Sequence, residues 1–209
     1  MGVPVLVIGE SGSGKTFSIR NFKPDEVGIF SVEKGRLPFK GDFKVKKKAT
    51  YKDILSAFRD PKLKRYVVDD SQFLMVNAMF DRAKETGYGK YTDFALDFRN
   101  LIHAVNHALP DDVIVYFLHH TEVDETGRIK AKTVGKMIDS KLTLEGLFPV
   151  VLLTGTDGTN YWFETQSDGY TTTKSPLGMF SEKRIDNDLK AVDAAIRDYW
   201  GLAEAPKED

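Results

Sequence analysis

The chain contains no cysteine among its 209 residues, which excludes disulfide bonds, thiolate metal sites and cysteine nucleophiles. It has no apolar run near the roughly 18 residues that a membrane-spanning helix needs, and no signal-peptide pattern precedes its first apolar segment. The formal net charge of −1 excludes a uniformly basic protein that coats nucleic acid, so such a partner would have to bind a local patch. These absences predict a cytoplasmic protein without a membrane partner.

Composition indicates a folded, globular chain. Hydrophobic residues make up 41% and charged residues 29% of the sequence, a balance typical of globular domains and unlike that of disordered chains. The length suits one domain with a substantial core. We expect a single domain over residues 1–202, followed by a polar, frayed tail over residues 203–209.

Strands alternate with helices through the first 120 residues. The patterns of apolar residues and breakers predict strands at 3–8, 27–32, 43–48, 66–70 and 113–118, and helices at 14–22, 50–58, 71–85 and 92–108. This alternation predicts an α/β fold in which helices cover both faces of a mostly parallel sheet.

The last third of the chain has a different pattern. Residues 121–136 are polar and rich in turn formers, which predicts a mobile loop or flap. A helix over 136–145 should follow, and the final helix should span 187–200. Between them, turn signals predict three antiparallel strands at the edge of the sheet, at 149–155, 160–166 and 170–174.

The stretch GESGSGKT, residues 9–16, matches the phosphate-binding pattern G-x-x-x-x-G-K-[ST] and lies between a predicted strand and a predicted helix. Its glycines allow backbone N–H groups to point at phosphate oxygens, and the helix would present its positive end to the same anion. Lys15 would reach the β- and γ-phosphates, and the Thr16 hydroxyl would coordinate Mg²⁺. The residues predicted to bind the nucleotide are Gly9, Glu10, Ser11, Gly12, Ser13, Gly14, Lys15 and Thr16. If this stretch were only a turn of small residues, the occurrence of Lys15 and Thr16 at the positions that the pattern requires would be a coincidence.

Two carboxylates end the strand YVVDD. Asp69 is the first candidate for the Mg²⁺ shell, and Asp70 is a candidate for orienting the attacking water. Because successive strand side chains point to opposite faces, the two residues are not expected to share one role unless the strand ends between them. The alternative for Asp70 is that it caps the helix that starts near Ser71.

Two further polar positions follow predicted strands. Glu33 lies at the carboxyl edge of the sheet, where ligands of open α/β folds bind, and is a candidate for polarising the attacking water; a surface carboxylate is the alternative. His119 or His120 ends the strand VIVYFL, and we select His119 as the γ-phosphate contact. Adjacent strand histidines face opposite ways, which disfavours a zinc pair. The alternative is one solvated histidine and one bonded to a loop carbonyl.

The lysine at residue 15 and the strand-end acids together resemble the RecA-like core of small phage ATPases of the AAA-type P-loop group. The block FSVEKG is similar to the RecA-type strand that ends in the catalytic glutamate, which strengthens the prediction for Glu33. The resemblance implies a RecA-like P-loop fold, ATP and Mg²⁺ as cofactors, and slow ATP hydrolysis without a partner. It also implies action on single-stranded DNA in phage replication or recombination and a location in the host cytoplasm, and it is compatible with a homo-oligomer.

The flap corresponds in position to the RecA-type region that contacts DNA or a neighbouring subunit's nucleotide. Its cations could meet DNA phosphates or a neighbour's ATP: Arg128, Lys130, Lys132 and Lys136. A solvated loop is the alternative, since acidic residues dilute this patch. Two rival functions remain: a nucleotide-dependent scaffold without DNA activity, and a small-molecule or nucleotide kinase. The sequence has no arginine-rich lid, which argues against the kinase.

Overall fold

A mixed β-sheet forms the centre of the molecule. The computed structural model describes residues 1–33, 35–87, 89–134 and 143–202. Within these ranges the strands are β1 Val3–Gly9, β2 Gly28–Ser31, β3 Val45–Lys47, β4 Arg65–Asp69, β5 Ile114–Val123, β6 Ile129–Ala131, β7 Val150–Thr156, β8 Tyr161–Glu164 and β9 Arg184–Asp186. Their order is β3-β2-β4-β5-β1-β7-β8-β9, with β6 paired to β5.

The centre of this sheet is parallel and its C-terminal side is antiparallel. Strand β1 pairs in parallel with β5 and β7, and β5 separates it from β4. The β7–β8 and β8–β9 pairs are antiparallel. The predicted α/β fold with a mostly parallel, helix-flanked sheet is therefore confirmed. Parallel strands of one sheet share one carboxyl edge, so the polar residues that follow β1 and β4 gather there beside His120 of β5.

The described residues form the α-helices α1 Tyr51–Arg59, α2 Phe73–Asp81, α3 Gly89–Ala108 and α4 Leu189–Trp200, and 3-10 helices that span Thr16–Asn21 and Leu144–Leu147. Helix α1 begins with a capping box between Thr50 and Asp53, which satisfies N–H groups that a helix start leaves unpaired. Asp188 caps α4 in a similar way, and Gly201 ends that helix at φ 63°, a conformation that favours glycine. No helix in the described ranges combines the length and apolar character that crossing a membrane requires.

Alternate residues of each central strand enter two separate cores. In β1, Leu6 and Ile8 belong to the core on one face, whereas Val5 and Val7 belong to the core on the other. Helices α1, α2 and α3 cover the first face. Helix α4 and the 3-10 helix Thr16–Asn21 cover the second. The continuous apolar runs in the sequence reflect this burial on both faces.

Three predicted elements differ from the structure. The helix expected at 14–22 is the short 3-10 helix Thr16–Asn21, where the Ser18 hydroxyl donates to the Lys15 carbonyl at 2.6 Å and so competes with regular helical bonding. The strand expected at 170–174 makes only isolated bridges, because β9 occupies the position beside β8. Of the helix expected at 136–145, residues 136–142 lie outside the described ranges, as does the predicted tail at 203–209.

The flap expected at 121–136 is largely a β-hairpin. Strand β5 continues past its histidines to Val123 and pairs antiparallel with β6. The carboxylate of Asp124 closes the turn by accepting hydrogen bonds from the backbone N–H groups of Thr126 and Arg128, at 2.8 and 3.0 Å. This local bonding by aspartate is a common turn device, and it makes the hairpin an ordered extension of the sheet.

Candidate functional site

A cleft of about 540 Å³ opens at the carboxyl edge of β1 and β4. This is where ligands of open α/β sheets bind, and the volume falls in the range of small-molecule sites. The lining residues are Ser11, Gly12, Gly14, Lys15, Thr16, Phe17, Arg36, Pro38, Asp69, Asp70, His120 and Tyr161. The structure therefore brings much of the 9–16 loop together with both carboxylates that follow Val68.

The 9–16 loop has a conformation that requires its glycines. Gly12 and Gly14 have φ angles of 81° and 97°, values that residues with a side chain rarely adopt. A Cβ atom on Gly9 would lie 1.9 Å from Thr154 Oγ1, so β7 leaves no space for one. The hydroxyls of Ser13 and Thr154 are 2.5 Å apart and connect the loop to β7.

Lys15 places a buried cation on this loop. Its side chain is only 5% exposed, and its Nζ atom donates to the carbonyl oxygens of Gly9 and Glu10 at 2.8 and 2.7 Å. The ammonium group thus sits against two carbonyls at the wall of the cleft. An anionic ligand with several oxygens could replace these neutral acceptors with stronger, charge-assisted ones.

Thr16 and Asp69 meet across the cleft. The Thr16 hydroxyl donates to Asp69 Oδ1 at 2.8 Å, and Asp69 is 3% exposed at the end of β4. A hydroxyl and a carboxylate are hard oxygen ligands, the kind that Mg²⁺ prefers beside phosphate. The donor set of this structure therefore fits the predicted Mg²⁺ site, with Asp69 rather than Asp70 bonded to Thr16.

Asp70 and His120 form a second polar pair in the cleft. Asp70 has φ 59°, a backbone conformation that is costly for a non-glycine residue and concentrated at functional sites. His120 Nε2 lies 3.2 Å from Asp70 Oδ1, and the backbone N–H of His120 donates to Gln72 Oε1 at 3.1 Å. At the start of helix α2, the Phe73 N–H donates to the backbone carbonyl of Asp70 at 3.0 Å.

His119 lies away from the cleft lining, which corrects the predicted γ-phosphate contact. Its side chain is fully buried; Nε2–H donates to the Lys132 carbonyl at 2.7 Å, and Nδ1 lies 2.8 Å from the Ser71 hydroxyl. Side chains alternate along β5, so the histidine that faces the cleft is His120. Burial lowers the pKa of His119 to about 4, although the bond to Lys132 opposes the shift. This histidine is neutral at physiological pH and structural.

We expect His119 to make the fold acid-sensitive. Its pKa is about 6.5 when unfolded and about 4 when folded, so its stabilising contribution is complete above pH 6.5 and is lost as the pH falls toward 4. Linkage gives a loss of about 2 kcal/mol between pH 7.5 and 5. Urea unfolding of wild type and His119→Gln checks this, because the variant should lose less stability over the same interval. Replacement of the exposed His107 is the control, and equal pH slopes for wild type and His119→Gln would contradict the assignment.

Glu33 is not brought into the cleft. It is exposed after β2 and lines a separate cavity of about 380 Å³ together with Lys48, Asn77 and Asp81. After β2, the Gly35 N–H donates to the Ser31 hydroxyl at 2.8 Å. Glu33 is therefore not among the residues that line the cleft with Lys15 and Thr16.

The predicted flap cations make contacts within the hairpin region. Arg128 donates from Nε and Nη2 to the Thr171 carbonyl at 3.2 Å, and Lys130 pairs with Glu122 at 3.1 Å. Arg128 and Lys130 line a small cavity of about 140 Å³ rather than the main cleft. Lys132 follows β6, and Lys136 lies outside the described residues.

Four cleft residues were missed by sequence reasoning: Phe17, Arg36, Pro38 and Tyr161. Phe17 directly follows the glycine-rich motif, so its position in the chain was an available clue. Tyr161 reaches the cleft because β8 packs beside β7, a pairing that residue spacing alone does not reveal.

No protein-family model matches the chain, and no curated protein matches it in sequence. The chemistry of the cleft is therefore inferred from its geometry.

Proposed function

We propose that the chain is a Mg²⁺-dependent ATP-binding protein and ATPase with a RecA-like P-loop core. The observation that carries this proposal is the 2.8 Å hydrogen bond between the Thr16 hydroxyl and Asp69, beside the buried ammonium group of Lys15. These three groups supply an oxygen pair for a divalent ion and a cation for phosphate within one cleft. The parallel sheet supports this class, because β1 leads into the loop and β4 ends at Asp69.

Nucleotide binding would use groups that the loop already presents. Lys15 would exchange its two carbonyl partners for oxygens of the β- and γ-phosphates, and the 9–16 backbone N–H groups would surround the phosphate chain. Mg²⁺, held by Thr16 and Asp69, would neutralise charge that develops on the transferring phosphoryl group. This positioning and charge stabilisation account for most of what a phosphoryl-transfer site must supply.

Asp70 and His120 are the groups proposed to act on the attacking water. Asp70 would accept a hydrogen bond from the water and so orient it, while His120, 3.2 Å away, fixes the carboxylate. Glu33, the residue that the resemblance favours, lines the other cavity. The proposed hydrolytic group is therefore Asp70.

The proposed biological setting is single-stranded DNA in phage replication or recombination. The resemblance to phage ATPases suggests it, and the hairpin of β5 and β6 gives it a physical route. Strand β5 runs from His120 in the cleft directly into the hairpin that bears Arg128 and Lys130. Binding of phosphate in the cleft, at one end of this strand, would then shift the positions of Arg128 and Lys130 at its other end.

A steady-state ATPase assay with and without single-stranded DNA tests this proposal. We expect slow turnover alone, stimulation by DNA, and weaker DNA binding at the higher of two salt concentrations, because phosphate contacts weaken with salt. ATP binding without turnover or DNA stimulation would instead favour the scaffold function. Phosphorylation of a nucleoside monophosphate would favour the kinase.

A further inference from the structure

An aromatic wall stands beside the phosphate-binding loop. The rings of Phe17 and Tyr161 are 5.5 Å apart between centroids and tilted by 51°. Both line the same cleft as Lys15 and Thr16, and both are only partly buried. Aromatic rings that remain partly exposed inside a polar cleft offer a surface on which a flat ligand group can stack.

The wall is fixed by contacts that link three elements. The Arg20 guanidinium lies 4.1 Å from the centre of the Phe17 ring, and Arg20 Nη1 donates to the Asn187 carbonyl at 2.6 Å. The Asn187 N–H in turn donates to the Tyr161 carbonyl at 3.3 Å. These bonds join the 3-10 helix, β8 and the start of α4. The backbone of Tyr161 and the ring of Phe17 are therefore positioned before any ligand binds, which lowers the entropic cost of binding.

Gly14 lets this wall approach the loop closely. A Cβ atom at Gly14 would lie 2.7 Å from Tyr161 Cδ1 and 3.1 Å from Asn187 Nδ2. Asn187 is 1% exposed, and its Nδ2 group has no hydrogen-bond acceptor among the described residues. A buried donor without an acceptor is costly. Its position next to Gly14 suits an oxygen of the sugar or phosphate part of a ligand.

Arg36 and Pro38 also line the cleft. The guanidinium group of an arginine is planar and can stack on an aromatic face. The cleft is thus lined by aromatic rings as well as by phosphate-binding groups. A chain of phosphates alone has no flat group that could stack on these rings.

We propose that Phe17 and Tyr161 form a nucleobase platform, so that the cleft takes nucleoside triphosphates in preference to inorganic polyphosphates. This inference rests on the proposed function, since the phosphate end must bind for the base to reach the rings. Stacking of a base on an aromatic side chain contributes about 1–3 kcal/mol. Loss of one ring should therefore cost about tenfold in affinity for the nucleotide and little for the phosphate chain.

Calorimetry with two probes tests the platform. The full chain, with Mg²⁺, is titrated with ATP and separately with inorganic tripolyphosphate. Tyr161→Ala and Phe17→Ala should each weaken ATP binding by about tenfold and leave tripolyphosphate binding within about twofold of wild type. Tyr161→Phe should keep wild-type ATP affinity, because the ring remains. Tyr170→Ala, which removes a tyrosine that is 70% exposed outside the cleft lining, is the matched control.

The two probes separate failure of the platform from failure of the proposed function. Unchanged ATP affinity in both alanine variants, or equal losses for ATP and tripolyphosphate, would overturn the platform. Equal affinity of the wild type for ATP and tripolyphosphate would also overturn the platform, but it would leave the proposed phosphate binding intact. If the wild type binds neither probe, the proposed function itself fails. Tyr161→Leu and Phe17→Leu, which retain apolar volume beside Gly14, replace any alanine variant that does not fold by circular dichroism.

Discussion

Replacing Lys15 with alanine is expected to weaken Mg²⁺·ATP binding by about 100-fold. A hydrogen bond to a charged group contributes about 1.5–3 kcal/mol, and this ammonium group would reach oxygens of two phosphates. In the ligand-free chain Lys15 Nζ is held by the Gly9 and Glu10 carbonyls, so the cation is already positioned. Calorimetric titration of wild type and variant with ATP measures the change.

Lys62→Ala is the matched control for this experiment. Lys62 is an exposed lysine that pairs with Asp60 before β4 begins, at the edge of the sheet opposite the cleft. Its loss should leave ATP affinity unchanged. Because Lys15→Ala also removes two hydrogen bonds inside the loop, unfolding curves should accompany the titrations. Wild-type affinity in a folded Lys15→Ala variant would contradict the proposed binding mode.

Asp70→Asn is expected to lower ATP turnover by about 100-fold while keeping ATP affinity within a few-fold of wild type. Small displacements of a reacting group cost rates of this order, and an amide would not orient the attacking water as the carboxylate does. Glu33→Gln is the matched comparison, because it makes the same chemical change in the separate cavity. Its turnover should stay near that of wild type. Steady-state phosphate release measures both.

The reverse result would reassign the hydrolytic residue. If Glu33→Gln abolished turnover and Asp70→Asn did not, the loop that follows β2 would have to close over the nucleotide during the reaction. The φ angle of 59° at Asp70 would then have only a structural role, in the turn between β4 and α2. His120→Gln provides an independent check. If Asp70 is the hydrolytic residue, this variant should also lower turnover, because His120 positions the Asp70 carboxylate.

The glycine-rich loop and the strands around it were predictable because local sequence determines them. The motif of the 9–16 loop specifies backbone angles, a lysine and a hydroxyl in a fixed order, and the apolar run before it can only be buried. Asp69 was predictable as well, since a strand end fixes the edge of the sheet at which a carboxylate emerges. For these residues, the chemistry follows from neighbours in the chain.

Other parts of the cleft depend on contacts between distant segments. Which of two adjacent histidines faces the cleft depends on the phase of β5, and that phase is set by packing against Phe98 and Ser71. Tyr161 enters the cleft through the pairing of β7 with β8. Glu33 lines a separate cavity together with Asn77 and Asp81 of α2. Side-chain spacing along one segment contains no record of such pairings.

The most direct test of the central claim is a calorimetric titration of the purified chain with ATP, first with Mg²⁺ and then with excess chelator. The account predicts saturable binding of one ATP per chain in Mg²⁺ and clearly weaker binding once the divalent ion is removed, because Thr16 and Asp69 hold it against the phosphates. No heat of association under either condition would contradict the account. Equal binding with and without Mg²⁺ would contradict the assigned role of the Thr16 and Asp69 pair.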